Sequence, residues 1–513
     1  MNRYKLILIY ILVFIFTSIH TSVFSQFLNK YWAFGDSAGI NWLQNNNPIV
    51  VYTQANGRGS CITLGDSLGM KLFAFTRSNI AQPNTAIIFN GFNDTVIFGD
   101  SIVGEAWYHE LIFIPQPEND SLVYMFSIGV TGSSLFGLYY TLINYRANND
   151  SGLVILKNVQ LNALPAFDGL TAIRHGNGRD WWLVFQRWYN PLGAGSTNDF
   201  KTYLISSSGI SNPINQNIGP LHSTNGGQLF FNSTGTEIGL VTLTGLFCLY
   251  DFDRCTGLLS NPITIEAERT VAPYPYFVSG VFSPDDSKIY VMADTRDVIA
   301  GTVDTLYQYN LNATNINSSK QIIYYQANAD IGSGALKLGP DGKIYLACGD
   351  EIASVPYPDS LYTQVNTNLS VINQPDSLGL ACDFQPFSFY LGGARTYYGL
   401  PNNPDYELGA WVGSPCDTLS VGLPQPTTPT TPFFQAWYNH EWDMVHVNAA
   451  QLKGKKGVLR LMDIDGRIVY EKSAEIISGG YYTTEIHTND LSNGMYIVNL
   501  VTEKDALSYK VMK

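Results

Sequence analysis

The amino-acid sequence predicts an all-β protein, a seven-bladed β-propeller followed by a small C-terminal β-sandwich, with six or eight blades as alternatives. The 513 residues are 14% charged and 13% aromatic and include 46 Gly, 24 Pro and 32 Tyr, which favours strands and tight turns over helices. A strand–turn–strand pattern recurs through the middle of the chain. Beyond a Pro/Thr-rich tract, residues 433–513 follow a different strand rhythm, which predicts the β-sandwich.

The recurring unit is an apolar strand, a tight turn and a second apolar strand. Turn pairs such as Asn177-Gly178 and Asp341-Gly342 supply the positive φ angles that two-residue hairpin turns need. The second turn residues lie 51 to 58 positions apart, at Gly69, Asp120, Gly178, Gly235, Asp286 and Gly342. Each interval leaves room for two further strands, and four short strands in about 50 residues make one propeller blade.

Six repeats are evident in the sequence, and a seven-bladed ring needs a seventh. The segment from Phe387 to Tyr398 is a candidate for part of a seventh, and the early strand from Tyr31 to Phe34 would complete it. Closure removes the exposed sheet edges that invite aggregation. The alternative is an open array of β-sandwiches, which the even spacing disfavours.

The N-terminus predicts a secretory signal peptide over residues 1–25. Basic residues precede an apolar run at 6–19, and compact residues precede a cut between Ser25 and Gln26. The run is shorter than the roughly 20 apolar residues that span a bilayer. We therefore expect export to the periplasm and no transmembrane segment after cleavage.

The rest of the chain divides into three predicted parts. Residues 26–420 form the propeller, residues 421–432 form an extended Pro/Thr linker, and residues 433–513 form the sandwich. The net charge of −13 argues against nucleic acid as a partner. Because the ring closes on itself and the tail has its own hairpins, we expect the linker to hold the tail apart from the propeller.

Six cysteines remain after cleavage, and none is part of a C-x-x-C pair, so a zinc knuckle or a thioredoxin-type redox site is not supported. An even number of cysteines in an exported chain permits disulfides. The sequence leaves open the pairing among Cys61, Cys248, Cys255, Cys348, Cys382 and Cys416.

The tail carries three motifs in a fixed order: a hairpin turn with Gly-Arg, a Leu-x-x-Gly-x-Tyr strand entry and a last strand ending in Lys. Together they resemble the C-terminal sorting domain of type IX secretion cargo in Bacteroidota. The resemblance implies that residues 433–513 bind the type IX machinery, that the tail is removed, and that the protein is secreted or held at the outer-membrane surface. The sorting-signal residues that it selects are Gly466, Arg467, Gly494, Tyr496, Lys510 and Lys513.

The body, over roughly residues 30–420, resembles secreted proteins of the same bacteria that carry a propeller-like domain. The residues that carry this resemblance include 282–290 and 338–345, each a turn with Pro-Asp followed by Lys-Ile-Tyr. The resemblance gives a fold and a compartment but no activity. We therefore predict no catalytic residue, no cofactor and no metal ligand.

Two motifs imitate enzymes. Asp36-Ser37 and Asp66-Ser67 resemble the nucleophile block of GDSL-type esterases, and Asp443 with His446 imitates their acid–base pair. That family needs an α/β sheet, and the sequence has no run of helical periodicity, so we expect turn serines. The spacing of His440, Glu441 and His446 does not fit the zinc-binding helix motif either.

The function that we expect is binding of a protein or glycan by an exported propeller, without catalysis. The alternative is a propeller hydrolase or lyase that acts on polysaccharide, which carboxylates, His or Arg converging on the channel would indicate. Trp181, Trp182 and Trp188 have two interpretations, a sugar-binding face or core packing, and core packing is the more common use.

Overall fold

The computed structural model describes residues 27–44, 46–77, 85–104, 109–129, 136–188, 195–269, 276–297, 301–326, 328, 330–350, 356–417, 432–439, 442–477 and 480–513. Ser25, Gln26 and most of the predicted linker lie outside these residues. The described part of the chain forms seven successive antiparallel sheets over 31–390 and two more sheets over 433–512.

The first three sheets are numbered here as blades 1 to 3. Blade 1 contains β1 (Tyr31–Phe34), β2 (Asp36–Asn41) and β3 (Ile49–Asn56). Blade 2 contains β4 (Cys61–Asp66), β5 (Gly69–Arg77), β6 (Thr85–Asn90) and β7 (Ile102–Val103). Blade 3 contains β8 (Leu111–Pro115), β9 (Leu122–Gly129), β10 (Gly137–Asn144) and β11 (Leu153–Asn162), with the helical turn α1 (Ala147–Asp150) before its last strand.

Blades 4 to 7 continue the same order. Blade 4 contains β12 (Thr171–Arg174), β13 (Trp181–Gln186), β14 (Thr197–Ser206), β15 (Gly209–Ile210) and β16 (Ile214–His222). Blade 5 contains β17 (Gly227–Phe231), β18 (Glu237–Thr242), β19 (Phe247–Asp253) and β20 (Leu258–Glu266). Blade 6 contains β21 (Tyr276–Phe282), β22 (Lys288–Asp297), β23 (Gly301–Asn310) and β24 (Gln321–Gln326). Blade 7 contains β25 (Ile331–Leu338), β26 (Ile344–Asp350), the helical turn α2 (Gln364–Thr367), β27 (Asn368–Ile372) and β28 (Phe384–Tyr390).

All six predicted turns lie between the first and second strands of successive blades, which confirms the repeat. Gly178, Gly235 and Gly342 have φ angles of 73°, 70° and 77°. These left-handed angles cost a glycine little, whereas a residue with a Cβ is strained there. The turn glycines therefore set the period of the fold.

Shared apolar cores join neighbouring blades into a closed ring. One buried cluster holds residues of blades 1, 2 and 7, among them Trp32, Phe73 and Ala347. Within it, the rings of Trp32 and Tyr345 meet edge to face with centroids 5.6 Å apart. Further clusters join blades 2 to 4, blades 4 and 5, blades 5 and 6, and blades 6 and 7. The seven-bladed propeller is thus confirmed.

The make-up of the closing unit differs from the prediction. The strand at Tyr31 pairs with β2 in a sheet of its own, and Phe387 lies in the outer strand of blade 7. From the segment between Phe387 and Tyr398, Arg395 forms main-chain bridges to Asp36 and Ser37 of blade 1, and Gly392 accepts a hydrogen bond from Tyr52. The physical reason is the tight turn at Gly35, with φ of 59°, which folds the N-terminal strands onto each other.

The tail forms the predicted β-sandwich. One sheet contains β29 (Phe433–Asn439), β30 (Met444–Ala450) and β33 (Tyr482–His487). The other contains β31 (Lys456–Asp463), β32 (Ile468–Glu475), β34 (Met495–Thr502) and β35 (Ala506–Met512). Alternate residues such as Val447, Leu461 and Val498 are fully buried between the two sheets.

The tail is not held apart from the ring, contrary to our expectation. Its strands β30 and β33 contact β11 of blade 3, and Asn448 exchanges hydrogen bonds with the main chain of Lys157. The sequence did not predict this contact, because the hydrogen bonds and the ion pair at its centre join polar groups far apart in the chain and leave no pattern in either partner.

One cysteine pair, Cys255 and Cys416, forms a disulfide, and the other four cysteines are free and buried. None of the helices in the described part of the chain is long and apolar enough to cross a membrane.

Candidate functional site

The centre of the ring is occupied by the chain itself. After β28, residues 391–417, called here the channel segment, run past the first strands of the blades. The main chain of Tyr398 accepts a hydrogen bond from Ala335 of blade 7 at 2.7 Å and donates one to Arg58, just before blade 2, at 3.0 Å. The main-chain N–H of Asn402 donates to Cys61 of blade 2 at 2.8 Å. The channel is therefore plugged rather than open.

The side chain of Asn402 ties blade 3 to blade 4, while its main chain is bonded to blade 2. Its side-chain Nδ2 donates to the carbonyls of His109, Leu111 and Leu170 at 3.2, 3.1 and 2.8 Å. The first strands of a propeller point carbonyls without a sheet partner towards the channel, and buried carbonyls need donors. A single amide here satisfies carbonyls from blades 3 and 4.

Tyr406 continues the plug. It is fully buried, and its hydroxyl donates to the carbonyl of Phe113 at 3.0 Å. The Arg174 Nη2 atom donates to the Tyr406 carbonyl at 2.8 Å, and the Arg174 guanidinium lies 4.2 Å from the Trp181 ring centroid. The apolar body of Tyr406 thus packs into the core while its polar groups are satisfied by the blades.

Both ends of the channel segment are fastened. Arg395 Nε donates to Asp36 Oδ2 of blade 1 at 2.8 Å. At the other end, Cys416 is disulfide-bonded to Cys255 of blade 5, 161 residues earlier in the sequence. The sequence did not predict that residues 391–417 fill the channel, because part of this segment was assigned to a blade. The even number of cysteines was the one signal of the disulfide that holds its end.

A cavity of about 410 Å³ remains beside the channel segment. The first strands of blades 4 to 7 line one side of it and the channel segment lines the other. Polar and aromatic side chains are mixed on its wall, including Asn29, Gln228, Phe230, Phe282, Lys337 and Asp405. This volume and mixture are typical of small-ligand sites.

Charges of both signs face this cavity. The Lys337 Nζ atom lies 3.5 Å from the carbonyl of Asn403, and burial lowers the pKa of Lys337 to about 8. Asp405 accepts from the Asn29 amide at 3.0 Å, and burial raises the pKa of its carboxyl. Burial, with Lys337 nearby, lowers the pKa of His109 to about 3, so this histidine is neutral. The lysines on the cavity wall are Lys337 and Lys30.

The esterase-like motifs do not form a catalytic triad. Ser37 Oγ donates to Asp36 Oδ1 at 3.3 Å, and that carboxylate pairs with Arg395. Ser67 is exposed in the turn after β4. His446 lies in the tail beside Glu485, so neither serine is brought together with it. Ser67 is a turn residue, as expected, whereas Ser37 lies in β2 with a φ of 65°, directly after the turn at Gly35.

The tryptophans are used for packing. Trp181 and Trp182 are buried, and Trp182 Nε1 donates to the carbonyl of Arg254 at 2.8 Å. Trp188 is partly exposed, and its Nε1 donates to the carbonyl of Ser223 at 3.2 Å. These residues do not form a continuous sugar-binding face.

No group of three or more His, Cys, Asp or Glu among the described residues is placed to hold a metal ion. His440 and Glu441 lie outside those residues.

Two of the predicted sorting residues build the β31–β32 turn. Gly466 has a φ of 79°, and its N–H donates to the carbonyl of Asp463 at 3.0 Å. Arg467 pairs with the Asp463 carboxylate at 3.0 Å while its side chain stays 80% exposed. The turn therefore presents a rigid backbone and an accessible guanidinium.

The other sorting residues lie where the last strand closes the sandwich. The main chains of Gly494 and Lys513 exchange two hydrogen bonds, at 3.1 and 2.9 Å. Lys513 Nζ lies 2.9 Å from Oδ1 of Asp443, in the turn just before β30 of the opposite sheet. Tyr496 is buried and donates to the carbonyl of Ser492 at 2.7 Å, whereas Lys510 is exposed. Lys513 thus links the two sheets.

Comparison with known proteins identifies the tail. Residues 442–513 match the secretion system C-terminal sorting domain family. No curated protein matches the sequence at a significant level.

Solved structures similar to the chain include three at low identity. A quinonprotein alcohol dehydrogenase-like protein from Bacteroides thetaiotaomicron is 10% identical, with a TM-score of 0.36 over 68% of this chain and 73% of that one. The Cps50 (Swd1) β-propeller domain of Myceliophteria thermophila is 8% identical, with a TM-score of 0.34 over 62% and 90%. The GH43 protein BlXynB from Bacillus licheniformis is 12% identical, with a TM-score of 0.30 over 78% and 87%.

Scores this low assign no activity to this chain, and the seven sheets themselves establish its fold. The tail match implies export to the outer-membrane surface or the medium. The chain therefore carries a C-terminal sorting domain of the type IX secretion system behind a β-propeller.

Proposed function

We propose that the protein is an exported, non-catalytic glycan-binding propeller, delivered by type IX secretion in a bacterium of the Bacteroidota. In this proposal residues 1–25 are a signal peptide, residues 26–420 are the binding domain and residues 421–432 are a linker. Residues 433–513 address the protein to the secretion machinery. The observation that carries the proposal is the amide-rich cavity beside the channel segment.

The wall of the cavity suits a neutral polar ligand. Gln228 Oε1 accepts from Ser279 Oγ and from the Gly280 N–H, both at 2.8 Å, so its Nε2 group is the part that can donate to a ligand. Lys337 and Asp405 add a cation and a carboxyl, which form the stronger, charge-assisted hydrogen bonds. Sugar hydroxyls both donate and accept hydrogen bonds, so they can bond to all of these groups, whereas an apolar ligand would leave them without hydrogen bonds.

The experiment is a glycan-array screen of the mature protein, followed by affinity measurements with the best glycan. Lys337→Met and Asp405→Asn should each weaken binding about 10-fold or more, as loss of a hydrogen bond to a charged group does. Lys343→Met, at the turn of the same blade, is the matched control and should bind as the unmodified protein does. Absence of any bound glycan, or equal binding by all variants, contradicts the proposal.

Polysaccharide hydrolysis has one observation in its favour. Asp405 and Glu407 both accept hydrogen bonds from Asn29, at 3.0 and 3.2 Å, and the raised pKa of Asp405 suits a general acid. Release of reducing ends from polysaccharide by the unmodified protein, lost in Asp405→Asn, would favour hydrolysis. Binding without release would favour the non-catalytic function.

A further inference from the structure

The contact between the tail and blade 3 is specific in its chemistry. Asn448 is fully buried and uses both ends of its amide on one residue: its Nδ2 donates to the Lys157 carbonyl at 2.6 Å, and its Oδ1 accepts from the Lys157 N–H at 3.0 Å. Thr483 Oγ1 donates to the same Oδ1 at 2.9 Å. The amide thus takes the place of a neighbouring strand at the outer edge of β11.

The side chain of Lys157 adds an ion pair. Its Nζ donates to Glu485 Oε1 of the tail at 2.6 Å and lies 3.7 Å from Asp100 Oδ1 of the propeller. The Lys157 side chain is 4% exposed, so the tail encloses a cation that carboxylates must neutralise. Breaking a buried pair by removing one partner is strongly destabilising, because the other charge stays buried.

Apolar contacts extend the interface on both sides. The rings of Tyr139 on β10 and Trp437 on β29 lie 6.2 Å apart. Ala450 belongs to the large core cluster of blades 2 to 4, and Ile477 and Tyr481 pack against the same cluster. The tail therefore contributes to the core of the propeller rather than only touching its surface.

We propose that this face of blade 3 is a binding site for the sorting domain that persists when the linker is cut. The tail then stays bound as a noncovalent subunit until it is displaced, and a tail-free propeller binds a separate sorting domain at the same face. The site is defined by Lys157 on the propeller and by Asn448 and Glu485 on the tail.

Other occupants fit the face less well. An added strand would have to follow β11, whose pairing with β10 has three register irregularities, and bulged strands are poor templates for strand addition. A second propeller meeting this one edge to edge would place Lys157 against another Lys157. The sorting domain instead supplies an amide for the strand edge and a carboxylate for the cation.

The test uses the full-length chain with a specific protease site placed in residues 421–432. After complete cutting, the two fragments should elute together in size-exclusion chromatography at micromolar concentration. Lys157→Met and Asn448→Ala should each weaken the complex about 10- to 100-fold, as loss of hydrogen bonds to a charged or buried group does. Lys456→Met, an exposed tail lysine, is the matched control and should leave the complex intact.

Exchanging the two charges of the ion pair distinguishes a specific loss of tail binding from misfolding of the variant. Lys157→Glu alone should release the tail, and Lys157→Glu combined with Glu485→Lys should restore the complex at least in part. Separation of the unmodified fragments on cutting would overturn the proposal. So would complexes of Lys157→Met and Asn448→Ala as stable as the unmodified one, or a tail-free propeller that dimerises instead of binding the tail.

Discussion

Asn402 Nδ2 donates to the carbonyl of Leu170 at 2.8 Å, although the two residues lie 232 positions apart in the sequence. This bond joins the last part of the propeller chain to the residue just before the first strand of blade 4. Through it and its neighbours, the channel segment replaces the water or ligand that would otherwise satisfy the inward-facing carbonyls. The cavity of about 410 Å³ is the space that the channel segment leaves unfilled.

Asn402→Ala should destabilise the propeller by about 1–3 kcal/mol, because it leaves buried carbonyls of blades 3 and 4 without a donor. The measurement is the free energy of unfolding in urea. Asn312→Ala, at an exposed turn position, is the control and should change it by less than about 0.5 kcal/mol. Equal stability of the two variants would mean that Asn402 does not hold the blades together.

Removing the disulfide should loosen the channel segment. The Cys255–Cys416 bond closes a loop with a sequence separation of 161, and loss of such a bond typically costs about 2–5 kcal/mol. Cys255→Ala with Cys416→Ala should lower the melting temperature, and a reducing agent should then have no further effect. If the reducing agent leaves the melting temperature of the unmodified protein unchanged, the disulfide does not stabilise the plug.

Acid should weaken the tail contact. Burial raises the pKa of Glu485, but the hydrogen bond with His446 and the charge of Lys157 outweigh it and lower that pKa to about 2. The contribution of ionised Glu485 to the stability of the tail contact is therefore complete above the usual pKa of a glutamate. It is lost as the pH falls through the lowered pKa of the folded protein. Burial also lowers the pKa of His446, despite Glu485 beside it, so the folded protein favours the neutral imidazole. When the pH falls below the usual pKa of histidine, the folded protein therefore loses stability. The propeller charges that face this pair are Lys157 of blade 3 and Asp100 of blade 2.

The measurement is the fraction of cut chain that stays in complex at about pH 7 and at about pH 4. We expect less complex at the lower pH. His446→Gln should reduce the loss of complex that occurs just below neutral pH, where histidine becomes protonated. A complex that is stronger in acid would contradict the assigned ionisation states.

Lys513→Met should change the titration of Asp443. Hydrogen bonds from Lys513, then Tyr438 and Thr488, lower the pKa of Asp443 to about 2. Loss of the ammonium should move this pKa up towards the usual 3.8, observed by NMR of the carboxyl carbon. Lys510→Met removes an exposed charge from the same strand and should leave the pKa of Asp443 almost unchanged. An Asp443 pKa that does not respond to Lys513→Met would mean that the last residue does not close the sandwich.

Deleting residues 433–513 should stop export at the periplasm, because the secretion machinery would have no sorting signal to bind. The measurement is fractionation of the host into periplasm, surface and medium. Arg467→Ala leaves the sandwich core intact and should reduce export if the exposed guanidinium is recognised. A truncated chain that reaches the surface in full would show that the tail is not the sorting signal.

The sequence predicted the features that repeat and missed those that occur once. The glycines at 178, 235 and 342 mark the turns of blades 4, 5 and 7, where each has the same left-handed φ at the same place. Residues 391–417 have no partner in a repeat, so nothing in their pattern shows that Asn402 and Tyr406 enter the channel. The contact of Lys157 with Asn448 and Glu485 joins residues nearly 300 positions or more apart through polar groups, which leave no periodicity to detect.

Hydrogen–deuterium exchange with and without the best array glycan tests the central claim most directly, because it shows where the ligand binds. The account predicts slower exchange in the channel segment and in the first strands of blades 4 to 7, which line the cavity. The tail and the outer strands should exchange as before. Protection confined to outer strands or to the tail would contradict the claim that the cavity is the binding site.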